Sequence, residues 1–140
     1  MSEREKGMQV RREVLGDAHV DHAEAGKDEF TADFQEFITR YAWGDIWSRP
    51  GLGRRERSIA TLAALVALRA EGEISMHVRA ALRNGLTREE IKEVILHTVV
   101  YAGVPAGNAA FSLAQTALAE VTPGGEQGEG EGPSGGRADG

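Results

Sequence analysis

A helix start signal at residues 86–91 is the sequence feature that most constrains the fold. The six residues read LTREEI. Thr87 and Glu90 have the spacing of a capping box, in which each side chain accepts a hydrogen bond from the backbone of the other residue, and Leu86 and Ile91 have the spacing of a hydrophobic staple. Because both signals coincide, the sequence predicts that a helix begins at Thr87.

The rest of residues 1–121 also carries helical patterns. Apolar residues recur with the period of an α-helix, and no segment alternates apolar and polar residues as a β-strand does. We therefore predict an all-α fold of about six helices joined by short loops. The pattern is weak in the first helix, and the six are expected over residues 1–15, 31–42, 54–70, 71–85, 87–102 and 105–120.

Two further features of the N-terminal third shape the expected structure. Residues 16–26, GDAHVDHAEAG, are polar and rich in turn formers, so they predict an exposed arm. Gly44 is expected to break the helix that begins near Thr31. That helix carries an apolar stripe, which predicts a buried face. The stripe consists of Phe30, Phe34, Phe37, Ile38 and Tyr41.

The composition excludes several classes of protein. The 140 residues contain no cysteine, which excludes disulfides and thiolate chemistry. The sequence has no run of 18 apolar residues and no apolar signal-peptide block at its start, and the net charge of −6 without a basic face argues against nucleic-acid binding. We expect a cytoplasmic protein with one helical domain, residues 1–121. Residues 122–140 hold eight of the 18 glycines and predict a flexible tail.

The stretch EGEISMHVRAALRNG, residues 71–85, is the strongest candidate for chemistry. His77, Val78, Ala81 and Leu82 fall on one side of a helix, so the histidine is expected to point inward, and Gly85 is placed to end the helix. Two interpretations stay open at this point. His77 is either a core histidine satisfied by one hydrogen bond or a general acid or base, since its ordinary pKa lies near working pH.

Arginines and aromatic residues near the middle of the chain suggest an anionic ligand. Arg49, Arg54 and Arg57 fall within nine residues and could hold a carboxylate, although a solvated face would look the same. Trp43 and Trp47 lie close by and either belong to the core or line a pocket.

The other histidines carry no comparable signal. His19 and His22 are three residues apart, but no further ligand spacing supports a metal site, so neither a metal nor a cofactor is predicted. His97 lies beside the apolar stripe of its helix, which favours a packing or edge role.

Four strings, covering roughly residues 8 to 120, resemble the carboxymuconolactone decarboxylase family in both content and order. The strings are VRREVLGDAHVDHA, FITRYAWGDIWSRPGL, HVRAALRNGLTREEIKEVILHT and YAGVPAGNAAF. The resemblance implies an alkylhydroperoxidase-like helical domain that assembles as a homo-oligomer, either a hexamer or a trimer. It also implies a lyase of the β-ketoadipate pathway of protocatechuate degradation, whose substrate is a small dicarboxylate lactone that loses CO2 without a cofactor.

On this resemblance we assign roles to the candidate residues. His77 would donate the proton or stabilise the dienolate, and Glu73, one helical turn earlier, would orient the imidazole or take part directly. The remaining positions would bind substrate. The carboxylate would be anchored by Arg49 together with Arg54 or Arg57, and the walls would be formed by Trp43, Trp47 and Tyr101.

The sequence departs from the thiol-dependent relatives in the wider superfamily. Ala70 and Glu73 occupy the positions of their CxxC pair, and Ser58 that of an acidic residue, so their peroxidase chemistry does not carry over. Two alternatives remain open. The chain could be a thiol-free relative acting on a different small anionic lactone, or a non-catalytic binding or scaffold domain.

Overall fold

The computed structural model describes residues 1–121 and confirms the all-α prediction. Those residues contain no β-strand; they form seven α-helices and one π-helix. The bounds are α1 Glu3–Leu15, α2 Asp17–Ala25, α3 Ala32–Ile38, a π-helix Thr39–Ile46, α4 Arg54–Ala67, α5 Glu71–Arg83, α6 Arg88–Ala102 and α7 Val104–Ala119. The predicted glycine-rich tail lies outside the described residues. Within residues 1–121, no helix combines the length and apolar character that crossing a membrane would need.

The chain divides into two compact units, and the second begins at Arg55. The N-terminal unit, Met1–Arg54, is built on α1, which packs against both α2 and the π-helix. A capping box starts α1: Glu5 donates its backbone N–H to the Ser2 hydroxyl and accepts the Ser2 N–H on its carboxylate. Val10, Val14 and Leu15 are buried along α1.

The predicted exposed arm is wrong, because residues 17–25 form the helix α2. The segment buries one residue, Val20, which explains why it showed no apolar stripe. Arg12 of α1 holds the helix from outside through salt bridges of 3.1 Å to Asp17 and 2.8 Å to Asp21. These two hydrogen bonds raise the pKa of Arg12.

The helix expected over residues 31–42 also differs from the prediction. It continues past Gly44 as a π-helix, whose backbone hydrogen bonds join residue i to residue i+5 instead of i+4. The predicted buried face is wrong as well. Its aromatic members are exposed, Phe30 to 92% and Phe34 to 60%, and the residues that the π-helix buries are Thr39, Trp43 and Gly44.

In the second unit, α5 and α6 pack against α7 around an aliphatic core. The core is made of Leu62, Val66, Ile74, Val78, Ala81, Leu86, Ile91, Ile95, Ala106, Ala110, Ala114 and Ala117. Four of these residues are alanines of α7. Small side chains on α7 let its neighbours approach closely, and this is most evident at Gly107, where an added Cβ would lie 2.6 Å from Val99 Cγ2 on α6.

The helix junctions of this unit match the sequence signals. Asn84 caps α5, and Gly85 follows with φ of +103°, a conformation that favours glycine. The Leu86 N–H then bonds to the Ala81 carbonyl at 2.9 Å. The predicted Thr87–Glu90 capping box is present at the start of α6, and Pro105 lies in the first turn of α7.

Glu90 also binds α4. Its two carboxylate oxygens accept hydrogen bonds of 2.8 and 2.6 Å from the Arg55 guanidinium. Arg55 and the Thr87 backbone N–H together lower the pKa of Glu90 to about 2. One carboxylate thus serves both the start of α6 and its contact with α4.

Candidate functional site

His77 lies on the buried face of α5, as predicted. It is 9% exposed and is flanked by the buried residues Met76 and Val78. Glu73 lies four residues earlier and is half-buried. Side chains four apart on a helix have Cβ atoms roughly 5–6 Å apart, so the carboxylate and the imidazole occupy successive turns of one face. The imidazole is thus largely shielded from water, whereas the Glu73 side chain is partly exposed.

Ser58 has a structural contact. It is 1% exposed on α4, and its hydroxyl accepts a hydrogen bond of 2.9 Å from the Asn84 side chain at the end of α5. This bond joins α4 to the C-terminal end of α5. Arg57, one residue earlier, is half-buried.

The two tryptophans form a contacting pair in the N-terminal unit. Their ring centroids are 5.1 Å apart and the ring planes are inclined by 34°. Trp43 lies in the π-helix and is 7% exposed, whereas Trp47 is half-buried just after its end. The pair thus combines a buried indole with a partly exposed one, and aromatic rings of this kind can line a ligand site.

The arginines that were predicted to bind substrate differ in their surroundings. Arg54 forms a salt bridge of 3.0 Å with Glu13. The pKa of Glu13 is lowered mainly by a hydrogen bond from Gln9, and this arginine makes the next largest contribution. Arg49 is exposed on the loop that follows the π-helix. Arg54 would have to give up Glu13 to bind a ligand carboxylate.

Tyr101, the third predicted wall residue, is 79% exposed near the end of α6. Its ring lies 5.6 Å from the ring of His97, which is also exposed. His19 and His22 both lie on α2. Within residues 1–121, no three His, Asp or Glu side chains form a cluster that could hold a metal ion.

The predicted residues include two neighbouring pairs, one in each unit. Trp43 contacts Trp47 in the N-terminal unit, and Glu73 lies one turn before His77 on α5 in the second unit. An open depression of about 360 Å³ in the N-terminal unit contains no predicted substrate-binding residue. It is lined by Glu3, Lys6, Phe37, Arg40, Tyr41 and Asp45.

Sequence reasoning missed Gly7 and Arg11, two buried residues of α1 that contact the π-helix carrying Trp43. The available sequence signals were weak. Gly7 is an isolated glycine within a helical pattern, and such a glycine often has a packing reason. Arg11 is an arginine among apolar neighbours.

Comparison with known proteins identifies the family. The sequence pattern of the Carboxymuconolactone decarboxylase family matches residues 32–116, which is more than half of the chain. The chain belongs to this family. All the predicted site residues of this carboxymuconolactone decarboxylase family member fall inside the matched region, whereas Gly7 and Arg11 precede it.

Two of its relatives resemble this family member over most of its length, and a third matches a shorter segment. It is 49% identical over 116 residues to the 4-carboxymuconolactone decarboxylase of Acinetobacter baylyi, covering 83% of this chain and 87% of that protein. It is 39% identical over 122 residues to the nitrosuccinic acid decarboxylase of Metarhizium robertsii, covering 87% and 85%. A 4-carboxymuconolactone decarboxylase from Pseudomonas putida is 62% identical over 39 residues, which is 28% of this chain and 81% of that sequence.

Proposed function

We propose that this protein removes CO2 from γ-carboxymuconolactone to give β-ketoadipate enol-lactone, a step in protocatechuate degradation. The observation that carries the proposal is the 49% identity to the Acinetobacter baylyi 4-carboxymuconolactone decarboxylase, which extends over most of both chains. A buried histidine one turn from a carboxylate supports it, because the reaction requires a proton donor in a dry site.

The reaction requires the protein to transfer a proton and to stabilise developing negative charge. The bond between the departing carboxylate and the lactone ring breaks, and its electron pair spreads through the unsaturated lactone onto the carbonyl oxygen. This forms a dienolate. Addition of one proton to a carbon atom of the dienolate then gives the enol-lactone. Since the substrate itself accepts the electron pair, we propose that the protein uses no cofactor and acts by stabilising the dienolate.

In this proposal, His77 either delivers the proton or hydrogen-bonds to the dienolate oxygen, and Glu73 orients its imidazole or takes part directly. Arg49, together with Arg54 or Arg57, would anchor the carboxylate that stays on the substrate, and Arg54 would release Glu13 to do so. Trp43 and Trp47, together with Tyr101, would cover the apolar part of the lactone. We also propose a cytoplasmic homo-oligomer.

A second substrate is favoured by a specific observation. The chain is 39% identical, over 87% of its length, to a nitrosuccinic acid decarboxylase. Nitrosuccinic acid is also a small dicarboxylate, and its nitro group can accept the electron pair that CO2 leaves behind. The same proton donor and anion anchor would serve both reactions, so the surroundings of the electron-accepting group would decide the preference.

The experiment is a direct assay of both substrates. γ-Carboxymuconolactone is generated enzymatically from protocatechuate, purified protein is added after treatment with a chelator, and CO2 release is followed together with enol-lactone formation. Nitrosuccinic acid is assayed in parallel. We expect faster turnover of the lactone, as kcat/KM.

Faster turnover of nitrosuccinic acid would indicate that nitrosuccinic acid, and not the lactone, is the preferred substrate. Tight binding of the lactone without CO2 release from either substrate, by protein that circular dichroism shows to be helical, would contradict an enzymatic role and favour a binding domain.

A further inference from the structure

The π-helix and α1 are in direct backbone contact at Gly7. A Cβ added to Gly7 would lie 2.1 Å from the Thr39 carbonyl oxygen and 3.1 Å from the Gly44 nitrogen. In a π-helix the carbonyl of residue i accepts from the N–H of residue i+5, and this pairing joins Thr39 to Gly44. Gly7 therefore lies directly against backbone atoms near the start of the π-helix, where no side chain could fit.

Gly44 makes the reciprocal contact. A Cβ added there would lie 2.9 Å from the Glu3 carbonyl oxygen and 3.5 Å from the Gly7 Cα. Both backbones thus need glycine at the crossing, and both glycines are buried. Because the atoms on each side are backbone, neither helix can yield by moving a side chain.

Arg11 provides a second contact one helical turn after Gly7. It is 2% exposed, and its Nη1 and Nη2 atoms donate to Thr39 Oγ1 at 3.3 Å and to Gln35 Oε1 at 3.0 Å. Thr39 Oγ1 in turn donates to the Gln35 carbonyl at 2.7 Å. Burial lowers the pKa of Arg11, as expected for a cation removed from water. Burying a guanidinium is costly unless it is hydrogen-bonded, and these two bonds hold Arg11 against the end of α3 and the start of the π-helix.

We infer that Gly7 and Arg11 together form a clamp that fixes the start of the π-helix and thereby sets the orientation of the Trp43–Trp47 pair. We call these two residues the α1 clamp. They are positioning residues: they act through the π-helix, and Trp43 is four residues into that helix. The link to substrate rests on the proposed function, in which the tryptophan pair covers the lactone. A π-helix whose start shifts would turn every later side chain and so displace both indoles.

The test compares three variants. Gly7→Ala places a methyl group against Thr39 and Gly44, whereas Gly26→Ala is the matched control, since its added Cβ would meet atoms only at 3.7 Å or beyond. Arg11→Lys keeps the charge but cannot donate to both Thr39 and Gln35 with the same geometry. Because Trp43 and Trp47 are the two tryptophans of the chain, the indole circular dichroism reports on this pair alone.

We expect Gly7→Ala to remain helical, to change the indole circular dichroism and to raise KM by about tenfold, with a smaller effect on kcat, because ground-state positioning is lost. Arg11→Lys should change both quantities in the same direction, and Gly26→Ala should match the unmodified protein. If Gly7→Ala fails to fold, Arg11→Lys decides the question.

Unchanged indole spectra in the folded variants would overturn the clamp. A changed spectrum with unchanged KM would overturn its role in substrate positioning. If the unmodified protein turns over neither the lactone nor nitrosuccinic acid, the proposed function fails, and the indole spectrum by itself then supports or overturns the clamp.

Discussion

Glycine-to-alanine substitutions at two helical positions should have opposite effects on stability. Gly107 lies in the first turns of α7, where an added Cβ would be 2.6 Å from Val99 Cγ2. Gly72 lies in the first turn of α5, is exposed, and has no atom within 4 Å of the added Cβ. The chemical change is identical, so the difference between the two sites isolates the packing contribution.

The magnitudes follow from two competing effects. Alanine is favoured over glycine in a helix by up to about 1 kcal/mol, and near a helix end we take about 0.5 kcal/mol. Overpacking a core costs about 1–3 kcal/mol. Val99 is branched close to its backbone and cannot swing its methyl group away, so the overlap wins at Gly107. We expect Gly107→Ala to lose about 1–2 kcal/mol and Gly72→Ala to gain about 0.5 kcal/mol.

Urea denaturation followed by far-ultraviolet circular dichroism measures both values. For a chain of this size, 1 kcal/mol corresponds to roughly 4 °C in Tm, so thermal scans provide a second estimate. The double variant Val99→Ala with Gly107→Ala should regain part of the lost stability, because the overlapping methyl group is gone. Equal stabilisation by both single substitutions would refute the conclusion that α6 and α7 meet too closely at Gly107 to admit a side chain.

Two further predictions concern the proposed proton donor and the acid stability of the second unit. His77→Gln should lower kcat by about a hundredfold or more if His77 is the acid. The control is His97→Gln, a substitution of an exposed histidine, which should leave kcat unchanged. Near-normal kcat in folded His77→Gln protein would contradict the assignment. Glu90 has its pKa lowered from 4.5 to about 2, so its stabilising pair with Arg55 is complete above about pH 4.5 and is lost as the pH falls toward 2. Glu90→Gln should therefore be less stable than the unmodified protein at pH 7. It should also lose less stability between pH 7 and pH 3, as measured by the midpoints of urea denaturation. Equal losses of stability in both proteins would exclude Glu90 as the titrating group.

The sequence predicted the local features of the fold well because their physical causes are local. The Thr87–Glu90 capping box and the left-handed Gly85 each depend on a few neighbouring residues, and both are present. The inward direction of His77 was also predictable from the helical spacing of its apolar neighbours. The all-α class followed from the same periodicity.

The features that were missed depend on which surfaces meet. An apolar stripe shows that a helix face can be buried but does not show that anything covers it, and Phe30 and Phe34 remain exposed. The change from α to π hydrogen bonding leaves no periodic signature, so Gly44 was taken as a helix breaker. It is instead the residue at which the π-helix meets α1. Helix α2 was missed because a helix that buries one residue has almost no stripe to detect.

The candidate site was predictable only as a list of residue types. That His77 would be buried followed from its spacing, but the salt bridge between Arg54 and Glu13 joins residues 41 positions apart and left no sequence signal. The contact between Trp43 and Trp47 was suggested by their closeness in the chain. Its geometry depends on the π-helix, and hence on α1, which lies outside the region matched by the family.

The double role of Glu90 has a consequence for the order of events in folding. Its contact with Thr87 closes a loop of three residues, whereas its contact with Arg55 closes one of 35. Short loops close fast and at small entropic cost, so the start of α6 can form first and hold the carboxylate in a fixed direction. Arg55 then meets a carboxylate that is already ordered. The entropy lost when this pair forms and α4 docks therefore comes mainly from ordering the Arg55 side chain.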